Sequence, residues 1–216
     1  MNEIRRIDYQ SGPLLEQDLA TTPLRQFERW LHEANTAGIE EPNAMTVATV
    51  DRDGQPHVRT ILCKEVVAEG FVFFTNYDSD KGRQLDDNPR IALCFHWQPM
   101  HRQVRVTGRA ERLPEAQSDA YFGSRPRDAQ LGAWSSAQSQ VISDRDELRA
   151  RWEQALQRFD AEVPRPANWG GYLVRPTTIE FWQGQPSRLH DRLRFSTPGT
   201  GRLDDGQAWT VERLAP

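Results

Sequence analysis

Ala44-Met-Thr-Val-Ala-Thr-Val-Asp-Arg-Asp-Gly-Gln-Pro-His-Val-Arg-Thr-Ile-Leu-Cys-Lys64 is the stretch that decides the fold class. Ala44–Val50 is a short apolar run rich in β-branched residues, and Asp51-Arg-Asp-Gly54 supplies turn chemistry. Residues 57–64 then read as the return strand of a hairpin. Going outward toward the C-terminus, residues 70–75 form a third strand. Ser79 is placed to cap a short helix over 80–87, which Asn88-Pro89 ends. Residues 90–97 and 102–113 are two more strands around Gln98-Pro-Met100. In the second of these, Val104, Val106 and Ala110 face one way while Gln103, Arg105, Thr107 and Arg109 face the other. That alternation predicts one core face and one polar face.

Going outward toward the N-terminus, Thr22 is an N-cap with Pro23 in the first turn. Leu24, Phe27, Leu31 and Ala34 share a face, and Gly38 is a stop signal. Residues 1–20 are polar, and composition alone reads them as a disordered tail. Beyond residue 113 comes a helical stretch over 115–123, interrupted at Arg125-Pro-Arg-Asp128. A further helix over 144–159 is expected, with Ser143 and Asp146 as its capping box and Leu148, Trp152, Leu156 and Phe159 as its buried stripe. Strands resume at 171–175, 178–182, 190–196 and 209–214. Strands, then helices, then strands predict an α+β fold on an antiparallel sheet. So many antiparallel strands avoid exposed edges most easily by closing toward a barrel.

The chain has 216 residues, 37% hydrophobic and 27% charged, with a net charge of −4. It is long enough to bury a sizeable core, and its charge disfavours a general nucleic-acid binder. Cys63 and Cys94 form no C-x-x-C pair and suit a reducing cytosol. No apolar run reaches the ~20 residues that a membrane span needs, so the expected compartment is the cytoplasm. Phosphate-binding P-loops and G-x-S-x-G elbows are absent. Cys94, His96 and His101 match no zinc spacing, so no metal is expected.

The chemistry lies in cations near strand ends and a helix start. Arg59 and Lys64 flank an apolar strand, and Lys81 stands in the first turn of the helix after Ser79. Free N–H groups and the dipole there make a plausible phosphate seat, although a solvated lysine is the plainer account. Tyr121 and Arg125, four apart, would share a helix face and could grip a second phosphate; an exposed helix end fits equally well. Gln138-Ser139 adds neutral donors. Residues 181–192, Phe-Trp-Gln-Gly-Gln-Pro-Ser-Arg-Leu-His-Asp-Arg, gather an indole, guanidiniums and an imidazole around a Gly/Pro turn. If extended, they put Arg188, His190 and Arg192 on one face. By itself this segment is as compatible with a surface hairpin as with a ligand site. With no activated nucleophile and no metal, two phosphate seats point to a cofactor that carries the chemistry.

Arg59-Thr-Ile-Leu-Cys-Lys64, Phe74-Thr-Asn, Ser79-Asp-Lys-Gly, Ser124-Arg-Pro-Arg-Asp128, Gln138-Ser139, Trp169-Gly-Gly-Tyr172, Glu180-Phe-Trp-Gln-Gly184, Arg188-Leu-His-Asp-Arg192 and Glu212-Arg-Leu-Ala-Pro216 occur in order. They resemble the pyridoxine/pyridoxamine 5′-phosphate oxidases. The resemblance runs from about Arg6 to Pro216. It implies a split β-barrel with flanking helices, a homodimer with FMN at the subunit interface, and hydride transfer from substrate to the flavin. Dioxygen would be reduced to hydrogen peroxide and pyridoxal 5′-phosphate released.

By motif position, Arg59, Lys81, Gln138 and Ser139 would hold the FMN phosphate. Thr60, Ile61, Leu62, Cys63, Lys64, Phe74 and Thr75 would line the flavin site, with Gln103, Trp182 and Arg192 on its ring system. Lys64, Tyr121 and Arg125 would take the substrate phosphate. Arg188, Leu189 and His190 would meet the substrate ring, Arg188 and His190 as the catalytic pair. Arg6 and Tyr9 would belong to a substrate lid, making 1–20 a lid segment and 21–216 a single FMN-binding domain. Asp80 and Ala129 depart from basic and serine residues of some relatives, which implies tuned affinity. Alternatives are a phenazine-biosynthesis-type FMN oxidase, or a flavin or pyridoxal-phosphate carrier without turnover.

Overall fold

The computed structural model describes residues 8, 9 and 11–216. Among them, nine strands join one antiparallel sheet. These are β1 (Ala44–Val50), β2 (Pro56–Leu62), β3 (Glu65–Val67), β4 (Gly70–Asn76), β5 (Arg90–Trp97), β6 (Arg102–Arg112), β7 (Trp169–Gln183), β8 (Asp191–Ser196) and β9 (Thr210–Arg213). The order is β2-β1-β5-β6-β7-β4-β3, with β8 added on β7 and β9 on β8. The architecture is α+β, of the split β-barrel type. The short β3, a return partner of β4, has no counterpart among the sequence expectations.

The inner face of the curved sheet is the core. Val47, Leu93, Val104, Ile179, Phe181 and Leu193 are all buried there. Helix α1 (Pro23–Thr36) lies on that face, with Phe27 against Phe71 and Phe95 at 5.2 and 4.9 Å and Trp30 edge-on to Phe181 at 5.2 Å. Thr22 caps it by accepting from the Arg25 amide, as its sequence predicts. Burying such aromatic side chains is the main favourable term of the fold, roughly 1.5–3 kcal/mol for each.

Several expectations are corrected. Residues 171–175 and 178–182 are not separate strands but one long β7. The register slips at Thr107/Gly108, so Thr107 faces Thr178 while Gly108 faces Pro176. That bulge absorbs the proline within the strand. It also needs glycine on β6, since a Cβ at Gly108 would sit 2.2 Å from the Arg175 carbonyl oxygen.

The helical stretch after residue 113 is three helices: α3 (Glu115–Ser124), α4 (Arg127–Ser135) and α5 (Arg145–Arg158). The cap of α5 is Asp144, not Ser143: its carboxylate accepts from the Glu147 amide, while Glu147 reaches back to the Ser143 amide and hydroxyl. The α5 stripe is largely uncovered, with Leu148 40% and Leu156 48% exposed. Only its Trp152 edge, Ala155 and the adjoining Phe159 pack, on a small satellite core of Phe122, Leu131, Val163 and Trp169.

Finally, the disordered-tail reading fails for the described part of residues 1–20. Leu14 is buried in the main core, and its amide donates to Asp191 at 3.0 Å.

Candidate active site

Helix α2 (Asp80–Asp87) follows β4 after a tight turn, and Ser79 caps it by accepting from the Gly82 amide. The turn sends Lys81 back along the end of β4. Its ammonium donates to Thr75 Oγ1 at 2.8 Å, Ser79 Oγ at 3.2 Å and Gln138 Oε1 at 3.2 Å. These partners are all neutral. Burial, with repulsion from nearby Arg59, pushes the Lys81 ammonium down to about 8. Arg59 lies behind it on β2, donating to Thr49 Oγ1 at 2.6 Å and Gln84 Oε1 at 3.2 Å. Burial lowers its pKa as well. Asp80, the nearest carboxylate to both, is engaged by Arg83. Two partly buried cations held by neutral oxygens at a helix N-terminus form a seat for an anion.

A second seat lies on the end of α3. Tyr121 stacks on Phe74 with ring centroids 3.8 Å apart and runs parallel to Trp169 at 6.2 Å. Arg125 lies over Trp169 at 4.6 Å. Its Nη1 is buried and has no hydrogen-bond partner among the described residues. Burial lowers the Arg125 pKa and raises that of Tyr121. A buried guanidinium nitrogen without an acceptor is costly, and Arg125 lines the cleft, where a ligand anion can pair with its charge. Both seats open into one cleft of about 560 Å³, which Ile61, Lys64, Phe74, Ala129 and Gln138 also line.

A different group forms on the outward face of the sheet. Gln103 on β6 faces Trp182 on β7, which faces Arg192 on β8, so these side chains form one row. Arg192 is paired with Glu180 through Nε at 2.8 Å and Nη2 at 3.1 Å, which raises its pKa. Segment 186–190 is not extended, so Arg188, His190 and Arg192 do not share a strand face. Pro186–Arg188 is a 3-10 turn with Ser187 and Arg188 at φ of 55° and 63°, and β8 begins only at Asp191. Arg188 and Leu189 are exposed. His190 packs 4.7 Å from Trp182, and its Nδ1 accepts from the Gln185 amide at 3.0 Å. That bond puts the neutral ring's proton on Nε2. Tyr9 covers this group, 4.3 Å from His101, 5.7 Å from His190 and 6.0 Å from Trp182. Gly184 makes room for it, because a Cβ there would lie 2.6 Å from the Tyr9 ring.

The expected site residues therefore fall into two sets. Lys64, Phe74, Thr75, Lys81, Tyr121, Arg125 and Gln138 meet at the cleft, with Ile61 at its wall and Arg59 behind Lys81. Gln103, Trp182, His190, Arg192 and Tyr9 gather elsewhere, and none of them lines the cleft. Thr60 is exposed on the outward face, in register with Thr46, and Leu62 is half-buried. Cys63 turns into the core, where burial pushes its thiol up to about 12. Ser139 is exposed, at φ of 69°. Arg6 lies outside the described residues. Sequence reasoning missed Thr49, Gln84, Trp169 and Glu180. Trp169 and Glu180 had a signal, their places in quoted motifs; Thr49 and Gln84 act through cross-strand or helix–strand contacts that no local pattern records.

Residues 31–159 match the family model described as pyridoxamine 5′-phosphate oxidase. Residues 169–216 match the pyridoxine 5′-phosphate oxidase C-terminal dimerisation region. The chain is 52% identical to a pyridoxine/pyridoxamine 5′-phosphate oxidase of Bordetella pertussis, covering 98% of this chain and 97% of that protein. It is 51% identical to one of Cupriavidus necator, covering 99% and 98%. Among solved structures, PhzG from Burkholderia lata 383, in complex with tetrahydrophenazine-1-carboxylic acid, superposes with a TM-score of 0.85. That match has 30% identity and covers 95% of this chain and 99% of that one. A pyridoxamine 5′-phosphate oxidase-related, FMN-binding protein of Nostoc punctiforme shares the fold, with a TM-score of 0.70 and 17% identity over 92% of this chain and all of that one.

Proposed function

The chain belongs to the pyridoxamine 5′-phosphate oxidase family, and from that premise we propose that it is an FMN-dependent oxidase making pyridoxal 5′-phosphate from pyridoxine 5′-phosphate and pyridoxamine 5′-phosphate. One observation carries the reading: two separate seats for anions, Lys81 with Arg59 and Arg125 with Tyr121, open into the same cleft. A cofactor and a substrate that each end in a phosphate need such a pair.

The residues present fit FMN. Lys81, Arg59 and Gln138, with the α2 N-terminus, would hold its phosphate, and a phosphate dianion would reverse the depression of the Lys81 pKa. Ser139, the 60–63 backbone, Thr75 and Phe74 would border it. When bound, FMN supplies hydride acceptance and reoxidation by dioxygen to hydrogen peroxide; with the amine substrate, water then releases ammonia. Lys64, Tyr121 and Arg125 would clamp the substrate phosphate, fixing the reacting carbon in place. His190 would donate from Nε2 to the substrate ring, Arg188 would neutralise negative charge on it, and Leu189 would pack beside it. Tyr9, and Arg6 in the same N-terminal segment, would exclude water as a lid.

The second set of residues is read as serving a neighbouring copy. The chain's 169–216 region matches a dimerisation region, and its outward sheet face exposes Val58 to 69%. In a homodimer, each copy would present its 181–192 segment, with Gln103, Trp182 and Arg192, to the other's cleft at the interface. Cys63 and Cys94 are free thiols, in keeping with a cytoplasmic enzyme. No described helix is long and apolar enough to cross a membrane.

The test is to load the purified protein with FMN, supply pyridoxine 5′-phosphate under air, and follow peroxide and aldehyde together. Equimolar formation of both is expected. Yellow protein that forms neither would support a carrier. The likeness to PhzG favours one other reading, an oxidase of tricyclic phenazine precursors. The Arg125–Tyr121 seat argues against it, since a ligand without phosphate would leave that guanidinium unmatched. Turnover of a phenazine precursor with none of the phosphorylated substrates would reverse this choice.

A further inference from the structure

Glu180 has no part in the reading above, yet it is a carboxylate only 6% exposed on the outward sheet face, among side chains that are mostly half-buried or exposed. A carboxylate is tolerated in such a place only when it is paired. The strand register supplies the partners. Glu180 faces Arg105 on β6, whose Nη1 is 3.2 Å from Oε2. Arg192, diagonal to it on β8, approaches edge-on, Nε to Oε1 at 2.8 Å and Nη2 to Oε2 at 3.1 Å. Nη1 of Arg192 donates to the Ala215 carbonyl at 2.8 Å. The guanidinium is therefore fixed along one side by a carboxylate and at one corner by the C-terminal backbone. Of its five N–H groups, one on each terminal nitrogen remains uncommitted. Trp182, facing Arg192 in register, and Gln103, facing Trp182, complete the row beside it.

We propose that Glu180 is a positioning residue for the flavin: it sets the direction of the free end of Arg192 and tempers the positive charge that Arg192 presents to the ring. This rests on the reading of the chain as an FMN oxidase in which Arg192 meets the flavin. It has a signed consequence. Glutamine in place of Glu180 keeps the shape and an acceptor but removes the negative charge. Arg192 then presents more positive charge to the ring, which favours the electron-rich reduced flavin over the oxidised one. Aspartate keeps the charge but withdraws it by a methylene, so orientation suffers and charge does not. A merely structural ion pair holding β6, β7 and β8 together would lower stability in both variants and leave the flavin's potential where it was.

The experiment uses FMN-loaded full-length protein: wild type, Glu180→Gln, Glu180→Asp and, as a control, Glu212→Gln. The control removes the next ion pair on the same face, Arg194–Glu212 at 2.8 Å. FMN affinity, thermal midpoint and flavin midpoint potential are read for each. Glu180→Gln should favour reduced over oxidised flavin by roughly tenfold, a positive shift of about 30 mV for a two-electron couple. Glu180→Asp should bind FMN roughly tenfold more weakly without a positive shift, and Glu212→Gln should match wild type in potential and affinity. Wild-type potential in Glu180→Gln, or wild-type FMN affinity in Glu180→Asp, overturns the proposal. Should Glu180→Gln not fold, the Glu180→Asp affinity decides alone. Wild-type protein that binds no FMN would overturn the functional reading itself, a result distinct from flavin-bound variants with unchanged potential.

Discussion

On the outward sheet face Arg105 and Arg192 share the carboxylate of Glu180 and Arg194 faces Glu212, while at the sheet edge Arg213, on the opposite face of β9, lies between Glu16 and Asp191. In the cleft the cations have no ion-pair partner among the described residues. Lys81 and Arg59 bond only neutral oxygens, and Arg125 leaves a buried nitrogen unmatched. The contrast separates charges that the fold satisfies from charges that it leaves for a ligand. Exposed ion pairs contribute about 0–1 kcal/mol each, so pairing on the outer face does little for stability except around the buried Glu180. A desolvated, unpaired cation is a net cost to the empty protein. An arriving phosphate offsets that cost, so these cations should matter more to binding than to folding.

The largest effect that could break this contrast is at Arg125. Arg125→Met removes the charge and keeps much of the bulk over Trp169. Charge-assisted hydrogen bonds are worth about 1.5–3 kcal/mol, so kcat/KM for pyridoxine 5′-phosphate should fall roughly 10- to 150-fold, mostly through KM. The thermal midpoint of the FMN-free protein should stay level or rise, because an unmet buried donor has gone. Steady-state kinetics beside a melting curve checks both. A midpoint several degrees lower would mean that Arg125 belongs to the fold's own bonding and that the contrast is mistaken.

Lys81 offers a sharper test, because its charge can be titrated. Its folded pKa is depressed to about 8 by burial and by Arg59. Below that value the ammonium is charged and attracts phosphate; above it, attraction is lost. FMN affinity should therefore weaken as pH rises above about 8, by up to about tenfold per pH unit, until the higher pKa of the bound state is passed. Bound phosphate will move that pKa upward, so the tighter the complex, the wider the pH range over which affinity falls. Lys81→Met should bind FMN roughly tenfold more weakly at pH 7, with the difference closing as pH rises above about 8, and lack this pH dependence. Flavin fluorescence quenching measures both curves, and a wild-type affinity that is flat through pH 8 would remove Lys81 from the phosphate seat.

What the sequence made legible follows from how local each cause is. The bounds of β1, α2 and β5 agree with the structure because a β-branched apolar run before a turn, an N-cap and an Asn-Pro stop are all written within a few residues. Pro176 misleads for the opposite reason: its tolerance inside β7 depends on a bulge against Gly108, far away on β6. The α5 stripe shows the limit of periodicity. Spacing tells which residues share a helix face, but not whether another element covers that face, and Leu148 and Leu156 stay exposed. In the site, Ser79 and Lys81 were readable as a helix start. The Lys81–Gln138 contact and the Glu180–Arg192 pair join segments that meet only after folding. The Gly/Pro turn of this segment was legible, but its continuation through Ser187 and Arg188 was not, since both take positive φ without a glycine to announce it.

The smallest expected effect lies on the paired side of the contrast, at Arg213. It ties the N-terminal segment to the start of β8, donating to Glu16 at 2.7 and 2.9 Å, to Asp191 at 2.7 Å and to the Leu14 carbonyl at 2.9 Å. Glu16 is held down to about 2 by that guanidinium. The ties are largely solvent-exposed, so each is weak and screened by salt. Their common effect is to keep the chain after Tyr9 against the 181–192 segment. Arg213→Gln should raise substrate KM about two- to fivefold, on the order of 0.5–1 kcal/mol in all, with kcat and FMN affinity unchanged. Roughly 0.5 M salt should reproduce part of that rise in the wild type and little more in the variant, because the screened interaction is already gone. If the variant instead loses FMN or turnover in the same proportion, Arg213 is holding up the barrel, and the N-terminal segment is a structural strap and not a lid.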